Sequence, residues 1–124
     1  MSRRPSVVIA DDEVHIVDVL AMLFEDYEVD VVKVYNGEQA LKAIRERVPR
    51  LVIADMMMPR LSGAELCRRL KADPTTARTP VILMSALPVH ALPASNADGY
   101  LAKPFELQSI EAFAGQYFTR RSSR

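Results

Sequence analysis

The sequence predicts an α/β domain with a parallel sheet and helices on both faces. Short aliphatic runs recur at Val7–Ala10, Val29–Val34, Leu51–Ala54 and Val81–Met84, with the length and β-branched character of buried strands. Amphipathic helical patterns follow the first three. A length of 124 residues suits one domain. Strands alternating with helices make βαβ units, whose right-handed crossovers place helices on either side of the sheet.

Each element has its own signal. After the first strand, Val14, Val17, Val19, Leu20 and Leu23 recur near helical spacing, with Asp18 and Glu25 off that face. After the second, Asn36 reads as an N-cap with Gln39 three residues on, and Ala40, Leu41 and Ile44 form the apolar stripe until Pro49 stops the helix. After the third, Ser62 with Glu65 reads as a capping box, and Leu66, Leu70 and Cys67 form the buried face. Gly99–Ala102 is a weaker fifth strand, followed by a helix from about Glu106 to Phe118. Five parallel strands in so short a chain fit the flavodoxin-like order 2-1-3-4-5. One domain is expected over 1–124, folded over about 6–118, with Met1–Pro5 and Thr119–Arg124 as frayed arms.

The stretch from Ala86 to Asp98 breaks the pattern. A helical crossover needs at least about 10–12 residues including its helix, and Pro93 would stop a helix here before its second turn. The helix between the fourth and fifth strands is therefore expected to be missing or reduced to about one turn.

Composition narrows the function classes. An apolar fraction of 49% with 26% charged residues excludes wholesale disorder. No apolar run approaches the roughly 18 residues of a membrane span, and no secretory leader pattern is visible. Sixteen basic residues against 16 acidic ones argue against a strongly basic nucleic-acid binder. The lone Cys67 fits a reducing compartment, so a cytoplasmic protein without membrane or direct nucleic-acid contact is expected.

In this strand order, ligands bind at the carboxyl ends of the strands, where the winding reverses between strands one and three. Asp11 and Asp12 follow strand one and Asp55 follows strand three, so three carboxylates converge on one crevice. Such proximity calls for a neutralising ion, and carboxylates with water and phosphate oxygens are the usual Mg²⁺ arrangement. Ser85 at the end of strand four adds a hydroxyl donor, and Lys103 at the end of strand five adds a point cation for a phosphoryl oxygen. Together these suit phosphoryl transfer, with a carboxylate placed as nucleophile. Taken singly each has a plainer explanation: Asp12 reads equally well as a helix cap, Asp55 as a turn residue, and Lys103 as a solvated charge. The joint occurrence at the ends of four strands carries the argument. His15 and His90 make no credible metal or catalytic pair.

The sequence resembles the receiver domain of bacterial two-component response regulators, of the chemotaxis-regulator-like kind, over Val7 to Phe118. The matching pieces are Asp11-Asp12, Asp55-Met56-Met57-Met58-Pro59, Ser62-Gly63, Ser85-Ala86 and Lys103-Pro104-Phe105. The resemblance implies that Asp55 accepts a phosphoryl group from a sensor histidine kinase or a histidine phosphotransfer protein. It implies that Asp12, Asp55 and the main-chain carbonyl of Met57 hold Mg²⁺, with Asp11 reaching it through water. Lys103 would hold phosphoryl oxygens, Ser85 would move to hydrogen-bond the phosphorylated form, and Tyr100 matches the switch aromatic. Pro104 matches a proline that follows a cis peptide bond.

No turnover enzyme is implied beyond self-catalysed transfer and slow self-dephosphorylation, because Met57 and Leu87 are apolar where the family tunes phosphoryl lifetime. The family commonly uses the surface of its fourth helix, fifth strand and last helix for homodimerisation or output partners. Here that surface is expected to be remodelled, with Leu87, Val89, Leu92 and Tyr100 near it. Two rival readings stand beside this one: a small Mg²⁺-dependent phosphatase, and an interaction module that never takes phosphate.

Overall fold

The computed structural model describes residues 3–88 and 96–122. The chain runs β1 (Ser6–Ala10), α1 (Val14–Leu23), β2 (Asp30–Val34), α2 (Gly37–Glu46), β3 (Leu51–Asp55), α3 (Gly63–Ala72), β4 (Val81–Ser85), β5 (Gly99–Ala102) and α4 (Leu107–Tyr117). The five strands form one parallel sheet in the order β2-β1-β3-β4-β5, the expected doubly wound, flavodoxin-like arrangement. β1 lies between β2 and β3, with Val8 opposite Val32 on one side and Val52 on the other.

Side-chain alternation along the strands divides the core in two. Val8, Ala10, Val52, Ala54, Val81 and Leu83 pack beneath α2 and α3. Val7, Ile9, Leu51, Ile53, Ile82 and Met84 pack beneath α1 and α4. Strands buried on both faces read as unbroken aliphatic runs, which is why the sequence announces them so clearly.

The helices differ more from expectation. In α1 the buried residues are Val17, Leu20 and Ala21, continued by Phe24 at the C-cap, while Val14 and Val19 are exposed. Spacings of three, four and seven from Val17 keep one face at 100° per residue, and Val19 falls off it. Asn36 caps α2 by accepting the Gln39 N–H at 2.8 Å, and the Gln39 side chain returns to the N–H of Tyr35 at 2.9 Å. Ser62 caps α3 through the Glu65 N–H at 3.1 Å. The Glu65 carboxylate does not complete the box; it turns outward to Arg68 and Arg69. Cys67 is buried in the core beneath α3.

The expected loss of a helix between β4 and β5 falls largely on 89–95, outside the described residues, as do Val89, His90 and Leu92. Residues 86–88 and 96–98, on either side, are not helical. Near the chain ends, Arg4 donates to the carbonyl of Val29 at 2.8 Å and pairs with Asp30 at 3.3 Å. Beyond α4, the Glu28 N–H donates to Thr119 O and the Arg121 N–H to Asp26 O, both at 2.8 Å, and the Arg120 guanidinium lies over the Tyr27 ring. These side-chain and backbone contacts engage segments whose sequence pattern suggests loose arms.

Candidate functional site

The carboxyl ends of β1, β3, β4 and β5 meet in one crevice. Asp11 is wholly buried there. Its N–H donates to Val34 O, which extends the β1–β2 ladder by one rung, and its Oδ1 accepts the Glu13 N–H at 3.0 Å. Its Oδ2 accepts from Lys103 Nζ at 2.7 Å. Lys103 is held at the end of β5 by its N–H, which donates to Ser85 O at 2.8 Å, and the peptide bond to Pro104 is cis, as expected.

Asp55 closes β3, with its Oδ1 3.3 Å from Lys103 Nζ and its carboxylate accepting the N–H of Met57. The loop beyond it is tightly folded. The Met56 N–H donates to Met84 O, Arg60 takes a left-handed conformation (φ 72°), and the Gly63 N–H returns to Met56 O at 2.9 Å. That return sets the first residue of α3 against the Asp55 backbone, so close that a Cβ on Gly63 would lie 2.2 Å from Asp55 O. Glycine is required there by close approach, not by backbone conformation.

Asp12 is exposed, and it does not cap α1; the N-cap is Glu13, with no side-chain cap bond. Its carboxylate is thereby left to the crevice, and Asp11, Asp12 and Asp55 each offer an oxygen within 4.8 Å of the others. Ser85, one residue past the cross-strand partner of Asp55, is buried and its Oγ accepts the Leu87 N–H at 2.9 Å. Tyr100 packs partly buried beside the α2–α3 core. Met57 is 73% exposed on the lip of the crevice. His15 is exposed on α1, away from any metal-binding group of three among the described residues.

One member escaped the sequence reading. Glu13 Oε1 lies 3.5 Å from Lys103 Nζ, so a single ammonium faces three acids. The signal was present as the third acid of the Asp11-Asp12-Glu13 run. Burial, and next the charge of Asp11, push the Asp55 carboxyl above its ordinary value despite Lys103. Burial would lower the Lys103 ammonium, but its bond to Asp11 and the charges of Asp55 and Asp11 outweigh that and raise it. The crevice therefore carries more negative charge than Lys103 balances. Oxygens around Mg²⁺ sit about 2.1 Å from the ion. The hard oxygen donors of the three carboxylates, gathered this closely, suit such an ion in chemistry.

The profile of the response regulator receiver domain matches residues 7–114. The chain belongs to that family. Its general function is phosphorylation-switched signalling in two-component systems. This receiver domain is 36% identical over 119 residues to the phosphate regulon transcriptional regulatory protein PhoB of Rhizobium meliloti, covering 87% of this chain and 49% of that protein. The chain thus spans about half the length of the curated relatives it matches. Among solved structures, it resembles the signal receiver domain of a DNA-binding response regulator from Colwellia psychrerythraea, with TM-score 0.82 and 27% identity over 90% of this chain and 96% of that one. The receiver domain of the sensor histidine kinase PA1611 from Pseudomonas aeruginosa, solved with magnesium coordinated in its active-site cleft, shares the fold at TM-score 0.78 and 20% identity, covering 93% and 98%. Among the described residues, no helix is long and apolar enough to cross a membrane.

Proposed function

We propose that Asp55 is the phosphoacceptor of this receiver domain and that the donor is a phosphohistidine on a sensor kinase or phosphotransfer protein. The observation that carries this reading is Lys103 Nζ, 3.3 Å from Asp55 Oδ1 and 2.7 Å from Asp11 Oδ2. A carboxylate oxygen of Asp55 attacks phosphorus in line, the P–N bond breaks, and the donor imidazole keeps the electron pair and takes up a proton. The reaction needs positioning and neutralisation of charge more than proton chemistry. Lys103, already beside the acceptor carboxylate, supplies a fixed positive charge for the transferred oxygens. Asp11, Asp12, Asp55 and the Met57 carbonyl would hold Mg²⁺, which when bound screens the charge between carboxylate and phosphoryl group. The acceptor is the domain's own side chain, so the outcome is a changed state rather than turnover.

Ser85 is suited to read that state. Its Oγ accepts from Leu87, which leaves its hydroxyl proton to donate to a phosphoryl oxygen. Such a donation pulls on the start of the β4–β5 connection, and Tyr100 on β5 then follows as the switch aromatic. Output through the face formed by β4, β5 and α4, as a second copy of this domain or an effector, follows the same logic.

The test is incubation with Mg²⁺ and acetyl phosphate, read by intact mass. One phosphoryl group should be gained by the wild type and none by Asp55→Asn. Labelling that persists in Asp55→Asn refutes the assignment. Catalytic hydrolysis of a phosphate ester without a stable label would favour the phosphatase reading.

A further inference from the structure

At the opposite edge of the sheet, the amino ends of β1 and β3 border a pocket of about 420 Å³. Four arginines line it: Arg3 and Arg4 before β1, and Arg47 and Arg50 in the α2–β3 connection. The parallel register that sets Val7 opposite Leu51 brings these two segments side by side. Asp30 answers part of the charge, lying 3.3 Å from Arg4 Nε and 3.0 Å from Arg47 Nη2. One carboxylate cannot neutralise four guanidinium groups. Arg3 pairs with no carboxylate among the described residues, and the Arg50 guanidinium makes a long contact, 3.4 Å, to the carbonyl of Tyr117, while its backbone N–H donates to Ser6 O at 2.8 Å.

Ser6 supplies a second, independent observation. It lines the same pocket, is 2% exposed, and its Oγ has no hydrogen-bond partner among the described residues. A buried hydroxyl left without a partner is destabilising. A core position facing α2, otherwise followed by Val8 and Ala10, would take an aliphatic residue at no such cost. A hydroxyl can donate to an anion, and guanidinium forks match the oxygens of a phosphate in pairs. Val48 and Pro49 complete the lining with apolar surface. The volume is in the range of small-ligand sites, about 300–1,000 Å³, and larger than a bare oxyanion needs.

We propose that this pocket binds the phosphate group of a small phosphorylated metabolite, with Ser6 Oγ and the guanidinium groups of Arg3 and Arg50 as donors and Val48 and Pro49 against the organic part. The site is separate from Asp55 and lies at the other end of the strands.

The experiment is calorimetric titration of the full chain without Mg²⁺ at fixed ionic strength, using inorganic phosphate, a nucleoside monophosphate and chloride as probes. Backbone amide shifts locate whatever binds. Saturable binding of the nucleoside monophosphate, with shifts at Ser6 and 47–50, is expected. Inorganic phosphate should bind more weakly, because it leaves the apolar wall uncovered. The pair Arg3→Gln and Arg50→Gln should weaken binding at least ten-fold, and both side chains are exposed enough for folding to survive. Ser6→Ala should weaken binding several-fold while raising the melting temperature, since it removes an unpaired buried hydroxyl. That opposite movement distinguishes a ligand donor from a residue that only packs. Three results would each overturn the proposal: no saturable binding of either phosphate probe, equal competition by chloride, or shifts confined to the Asp11–Lys103 crevice. Unchanged affinity in all the variants would do so as well.

Discussion

Replacing glycine by alanine at two helical positions should move stability in opposite directions. Helix propensity alone favours alanine by about 0.5–1 kcal/mol in both cases. At Gly115 in α4, nothing lies within 4 Å of the new methyl group, so the propensity gain stands. At Gly63 in α3, the methyl would meet Asp55 O at 2.2 Å and Asp55 C at 2.9 Å, where ordinary contact begins at 3.4 Å. Both atoms are backbone, so the start of α3 and the end of β3 must separate by more than an ångström, against the Gly63–Met56 hydrogen bond. Overpacking of this kind costs about 1–3 kcal/mol, and the severity here puts it at the upper end. Net of propensity, Gly63→Ala should lose about 2 kcal/mol. At roughly 4 °C per kcal/mol for a domain of this size, the Tm falls by about 8 °C. Gly115→Ala should gain about 2–4 °C on the same scale. Thermal unfolding by circular dichroism gives both values. Because Gly63 abuts the Asp55 backbone, the variant should also be labelled more slowly by acetyl phosphate. A Tm for Gly63→Ala equal to or above wild type would refute the packing argument.

Lys103→Met should destabilise the Mg²⁺-free protein by about 3 kcal/mol, because removing one partner strands the buried Asp11 charge, and Mg²⁺ should restore part of the loss. Denaturant midpoints measured with and without Mg²⁺ check this, and an equal loss in both would contradict it. Glu65 is held below its ordinary pKa by hydrogen bonds from Arg68 and then Arg69, so its contribution is complete above the unfolded value of about 4.3 and is lost as pH falls through the lower folded value. Carboxyl ¹³C titration should show that depressed midpoint, returning to normal in the double variant Arg68→Ala, Arg69→Ala. Met57→Glu places a water-binding group on the exposed lip of the crevice and should shorten the aspartyl-phosphate lifetime. An unchanged decay of the label after donor removal would count against that.

The sheet was legible because β1, β3 and β4 are buried along their whole length, so their aliphatic runs are nearly unbroken and their positions in sequence are sharp. The same sharpness made the crevice legible: Asp11, Asp55, Ser85 and Lys103 stand at or just past a strand end, and strand order alone brings those ends together. Helix faces were harder. With Val14 and Val19 exposed and Ala21 and Phe24 buried, α1 shows that an apolar-rich helix does not declare which stripe it buries. The fate of Asp12 was ambiguous for a different reason, since a cap and a crevice acid share one sequence position, and only backbone direction separates them. Backbone-to-backbone ties such as Glu28 to Thr119 leave no trace in side-chain pattern.

Net charge was the least informative number in the sequence, and its resolution is spatial. A parallel sheet gathers all carboxyl strand ends at one edge and all amino ends at the other. Acids occupy the first edge as Asp11, Asp12, Glu13 and Asp55, and arginines border the second as Arg3, Arg4, Arg47 and Arg50. Five-residue strands hold the two edges about 17 Å apart at 3.3 Å per residue. That exceeds the screening length of about 8 Å at physiological salt, so the two charge groups barely feel each other through solvent. On the function proposed above, the acidic edge would have to be neutralised locally, by Lys103 and a cation, before an anionic phosphoryl donor could approach. The arginine edge cannot do that from so far away. By the same separation, an anion held near Ser6 would leave Asp55 electrostatically undisturbed. Any influence between the two edges would have to pass through β1 itself, the strand that begins at Ser6 and delivers Asp11.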